Sequence, residues 1–107
     1  MNNMNELIKQ IENVVSELMR YDMDNFSVHA QELVNNMIVV FPSIISIYSK
    51  EEMADVREDA MYWPGQLERI ISALGSPDRF ETVDVLYNET YMNLIELREI
   101  LTKRGLL

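Results

Sequence analysis

The chain has 107 residues, 48% hydrophobic and 25% charged, a balance that suits one folded domain over 1–107 and excludes a disordered chain. With 18 acidic residues against 9 basic ones the net charge is −9, and the basic residues are scattered, so nucleic acid and anionic lipid find no complementary surface. The absence of cysteine excludes a disulfide framework and any thiolate metal site. The first residues, Met1 to Glu6, lack the basic and apolar regions of a signal peptide, and no apolar run reaches the roughly twenty residues of a membrane span. These traits point to a soluble, cytoplasmic protein.

The first helix is expected over about 3–21. Met4, Leu7, Ile11, Val14, Leu18 and Tyr21 recur at three-four spacing, with Ile8 and Val15 widening the stripe. Asn2, Asn3 or Asn5 can cap its start. The turn Asp22-Met23-Asp24-Asn25 follows, and the second helix is expected over about 24–48.

That second helix holds the most apolar part of the chain, Val34 to Tyr48, which carries no charge. Two rows run along it. Leu33, Met37, Val40, Ile44 and Ile47 form one; Val34, Ile38, Phe41, Ile45 and Tyr48 form the other. One row is enough to face a core, so two imply burial on two sides, by other helices or by another chain. Pro42 removes one backbone hydrogen bond from this helix without interrupting the apolar register, and predicts a kink or a break there.

Ser49-Lys50-Glu51-Glu52 reads as a capping box opening a third helix with Met53, Val56, Ala60, Trp63, Leu67, Ile70 and Leu74 on one face. Pro64-Gly65 either kinks that helix or splits it, and Gly75 is placed to end it in the left-handed conformation. Ser76 then reads as the cap of a fourth helix with Pro77 at its first position. Its stripe is Phe80, Val83, Tyr87, Leu94, Leu97 and Leu101, broken only by Thr90, with Leu86, Tyr91 and Ile100 at the flanks. Four stripes joined by short turns predict an all-α, up-down-up-down antiparallel four-helix bundle, kinked or broken at Pro42 and Pro64.

Chemistry is scarce along these rows. A carboxylate-bridged dimetal centre needs inward glutamates and two Glu-x-x-His pairs, whereas this chain has a single histidine, His29, followed by Glu32 in the reverse order. His29 reads as a boundary residue with an ordinary hydrogen bond. Magnesium-dependent, all-helical nucleotide pyrophosphohydrolases hold their metal through Glu-x-x-Glu and Glu-x-x-Asp pairs on adjacent helices. Here Asp55-x-x-Glu58 and Glu81-x-x-Asp84 approach that pattern, with the wrong leading residue in the first pair. An acidic chain produces several such pairs by chance, and the register turns Glu58 and Glu81 outward. No glycine-rich phosphate loop or nucleophile with a supporting frame is present.

The acidic segment Glu51, Glu52, Asp55, Glu58 and Asp59 reads as a solvated face or a dock for a basic partner. Met61, Met92, Tyr62 and Val85 lie off the main rows and could form an adaptable contact surface. The second row of the second helix carries the functional expectation. If Val34, Ile38, Phe41, Ile45 and Tyr48 are partly exposed, they form an apolar patch of the kind that marks an interface, either of a homodimer or with a helical protein partner. The expected function is a non-catalytic protein–protein interaction module, an adaptor, escort or inhibitor, with no cofactor. The magnesium-dependent pyrophosphohydrolase is the alternative.

Overall fold

A computed structural model describes residues 2–50 and 62–105. Among the described residues all regular structure is helical. Helix α1 spans Asn2–Arg20, α2 Phe26–Lys50 and α3 Tyr62–Leu74. The fourth rod has three parts: α4 (Arg79–Val83), a π-helical stretch (Asp84–Tyr91) and α5 (Met92–Lys103). Backbone angles stay helical at both junctions, so the three parts are continuous. The molecule measures 42 × 22 × 20 Å, and α2 alone supplies most of the long dimension, since 25 residues rise about 38 Å.

One apolar cluster joins all four rods. Helix α1 contributes Met4, Leu7, Ile8, Ile11, Val14 and Leu18, all buried, as its three-four spacing predicts. Helix α2 contributes Leu33, Met37, Val40, Ile44 and Phe41; the side chain of Ile47 lies outside the described residues. Trp63, Ile70 and Ala73 enter from α3, and Val85, Leu86, Leu94, Leu97 and Leu101 from the fourth rod. Helix α1 packs against α2 and the fourth rod, and α3 packs against the same two.

Helix α2 is continuous through Pro42 and extends past Ser49 to Lys50, which excludes a break at the proline and places Ser49 inside a helix, not ahead of one. Glu51, Glu52 and the rest of 51–61 lie outside the described residues. Pro64 and Gly65 both lie in the first turn of α3 as described from Tyr62, and the residues on which a split of the third helix would fall, 51–61, lie outside the described residues.

Three helix ends differ from their sequence reading. The left-handed position falls on Tyr21 (φ 54°), not on Gly75. Tyr21 closes α1 in a Schellman arrangement, its N–H donating to the Leu18 carbonyl and that of Asp22 to the Glu17 carbonyl at 2.9 Å. The cap of α4 is Asp78, which accepts from the N–H groups of Phe80 and Glu81, while Ser76 accepts from the Asp78 N–H. Gly105 (φ 71°) ends α5 as a left-handed residue.

The largest departure is the π-helix. There the N–H of Met92 reaches back five residues to the Tyr87 carbonyl, which rotates the register against the 3.6-residue period. Upstream of Leu94 the buried row is therefore Thr82, Leu86 and Thr90, with Val85 beside it. Phe80 and Tyr87, read from the sequence as core, are 60% and 42% exposed. Val85 is buried and so is no part of an adaptable surface.

Candidate functional site

The second row of α2 divides between core and surface. Phe41 is buried, its ring 5.0 Å from that of Trp63 and tilted by 50°, and Tyr62 meets the same indole edge-on at 5.0 Å. Such tilted and edge-on pairs are worth about 0.5–1.5 kcal/mol beyond area burial. Phe41 is thus a core residue. Ile38 is 53% exposed and its neighbour Val39 54%. Val34 and Ile45 are half-buried, and the side chain of Tyr48 lies outside the described residues.

Around Val34 the surface is concave. Phe26, Ala30 and Val34 of α2 face Ile71, Leu74 and Gly75 of the α3 end across a groove of about 360 Å³. Ile71 is half exposed. Gln31 and Asn35, joined to each other at 2.9 Å, are exposed beside it. Val34 and Ile38, one turn apart on α2, form an apolar strip with Ile71 across the groove, within the stretch of α2 that carries no charge from Val34 to Tyr48, and Val39 is exposed further round the helix. A solvated helix face normally carries charge, so this face offers a partner contact area at little desolvation cost.

Polar chemistry lies elsewhere, in two seams. Between α1 and α2, Glu17 is buried, and its Oε1 is bonded by His29 Nδ1 and by Asn13 Nδ2, while Oε2 has no hydrogen-bond partner. His29 itself is half-buried, as a boundary residue should be. The burial of Glu17 has no sequence signal beyond its place one step before Leu18 in the apolar register.

Between α3 and the fourth rod, Gln66 donates to the Thr90 hydroxyl at 2.8 Å, and Thr90 donates to the Val85 carbonyl at 2.9 Å. The Tyr62 hydroxyl and Asn93 Nδ2 both donate to the Glu89 carbonyl. Burial raises the pKa of Tyr62, against the bond with Asn93. Arg69 makes a two-pronged contact with Glu89, at 2.5 and 2.7 Å, and holds that carboxyl below its usual range.

Of the acidic pairs read from the sequence, Asp55 and Glu58 lie outside the described residues. Glu81 is exposed and bonded by Ser76, and Asp84 is exposed and bonded by Asn88. Among the described residues no group of three or more potential ligands gathers to hold a metal ion. Among them, too, no helix is long and apolar enough to cross a membrane. Compared with protein-family models, with curated proteins and with solved structures, the chain matches none.

Proposed function

We propose that this chain is a non-catalytic interaction module that binds through the outer face of α2, either as a homodimer or against a helix of a partner protein. The observation that carries this reading is the half exposure of Ile38 and Val39 within the uncharged stretch of α2, Ile38 lying one turn from Val34 in the groove with Ile71. Val34, Ile38 and Ile45 are the contact residues, and Tyr48 extends the row beyond the described side chains. Phe41 serves the site by fixing α2 on Trp63 rather than by touching the partner.

The scaffold we infer is the up-down-up-down four-helix bundle, bent at Pro42 and Pro64. Cross-helix contacts support it: Glu17 meets His29 while Gln10 meets Asn36, and Tyr62 meets Glu89 while Ala73 meets Thr82. In both pairs the contacts advance in opposite chain directions. A cytoplasmic setting fits the absence of cysteine.

Light scattering on the purified chain tests the proposal. The wild type should run at twice its chain mass, or bind a helical partner stoichiometrically, and Ile38→Glu should abolish that association at unchanged helicity. Association that survives Ile38→Glu would remove α2's outer face from consideration.

A further inference from the structure

The π-helix leaves a second aromatic surface outside the core, on the side of the molecule away from α2. Tyr87 and Tyr91 stack there, ring centroids 5.1 Å apart and planes within 14° of parallel. Tyr87 is 42% exposed and Tyr91 half-buried. Glu12 of α1 is close enough to the Tyr91 hydroxyl to help raise its pKa, after burial. Arg98, the cation that acts on Tyr91, is bonded at 3.1 Å to Asn5.

The start of the fourth rod already displays the chemistry such a surface favours. The Arg79 guanidinium sits 4.6 Å from the Tyr21 ring centroid and 4.8 Å from that of Phe80. A planar cation over an aromatic face is attracted by the ring quadrupole, and neighbouring carboxylates add to that attraction. We infer that the stacked Tyr87–Tyr91 pair, beside Glu12, is a docking platform for an arginine side chain on a basic segment of a partner protein. The net charge of −9 steers such a segment toward the molecule, and the tyrosines supply the specific contact. This surface is separate from the apolar strip on α2, since α2 does not pack against the fourth rod.

The test uses the full chain and a fluorescein-labelled peptide of glycine and serine carrying three arginines, with fluorescence anisotropy read at about physiological salt. Tyr87→Leu and Tyr91→Leu keep the net charge and most of the apolar area, and each should weaken binding by about fivefold. Glu12→Gln should also weaken it, whereas Glu32→Gln, the same charge change on exposed α2, should not. Replacing the peptide arginines by lysines should weaken binding at equal charge. Circular dichroism establishes that each variant is folded. Equal affinity of wild type and Tyr87→Leu would overturn the proposal, as would equal losses in Glu12→Gln and Glu32→Gln, since attraction would then follow net charge alone.

Discussion

Gln66 reaches across from α3 to the Thr90 hydroxyl at 2.8 Å, and Thr90 turns its own proton back onto the Val85 carbonyl five residues earlier. Both side chains are buried. The relay therefore satisfies a donor of α3 and a carbonyl of the π-helix within an apolar core, where either left alone would be costly. It also explains why Thr90, the one polar break in the fourth stripe as the sequence reads it, is tolerated. In the shifted register Thr90 is not a gap in the apolar row but the residue that holds the π-helix to α3.

Thr90→Val removes the hydroxyl at nearly constant volume and leaves the Gln66 amide and the Val85 carbonyl without that partner. We expect a loss of about 1–3 kcal/mol in urea denaturation. Thr90→Ser keeps the hydroxyl and should lose less. Pairing Thr90→Val with Gln66→Leu should restore part of the loss, because the orphaned donor disappears with its partner. If Val and Ser behave alike, the relay does not contribute.

Phe41 and Ile38 are neighbours in one sequence row but should respond oppositely. Phe41→Ala empties the space against Trp63 and should cost about 3–5 kcal/mol. Ile38→Ala, at a half-exposed position, should stay within about 0.5 kcal/mol in the isolated chain. Phe41→Glu should unfold the chain, so only Ile38→Glu reports on association. Denaturation curves at two protein concentrations separate the effects, since a stability that depends on association also depends on concentration.

The part of this organisation that the sequence makes legible follows regular helical geometry. The stripe of α1 from Met4 to Leu18 and the first row of α2 from Leu33 to Ile44 are buried because both helices keep the 3.6-residue period, whereas Tyr21, the last residue of the α1 stripe, is 65% exposed past the helix end. Phe80 and Tyr87 were misplaced because periodicity carries no sign of a π-turn, which inserts its extra residue through backbone bonding alone. Phe41 could not be told from Ile38 because its burial depends on Trp63, far away in sequence. The left-handed end of α1 fell on Tyr21, a residue type that normally avoids it, while Gly75 stands in an ordinary conformation. Of the candidate site, the row itself was legible, and its division between core and surface was not.

Glu17 and His29 form a buried-to-surface pair that ties the end of α1 to the start of α2. His29→Ala leaves the buried carboxylate with Asn13 alone and should cost about 1–3 kcal/mol at neutral pH. Glu17→Leu, which removes the buried charge, should cost less than His29→Ala or nothing. A double-mutant cycle by denaturant midpoint measures the coupling, and additive losses would mean that the pair contributes no coupling.

Arg69 and Glu89 supply a pH dependence of known sign. The guanidinium bonds depress the pKa of Glu89 below that of the unfolded chain, about 4.3 for a free glutamate. A depressed acid stabilises the fold above its unfolded pKa and loses that contribution as the pH falls through the folded value. The pKa of Arg69 is raised, so its side of the pair is fully present at every pH below the unfolded arginine value and adds nothing to the acid limb. Wild type should therefore exceed Glu89→Gln in stability at neutral pH, with the difference shrinking below about pH 4 and vanishing once both states are protonated. The difference should be modest and should fall with added salt, because the Arg69 side chain is 58% exposed. Midpoints of urea denaturation for the two proteins between neutral pH and about pH 3 measure it directly. A difference that stays constant across that range would assign the role of Glu89 to hydrogen bonding that the glutamine retains or loses independently of charge.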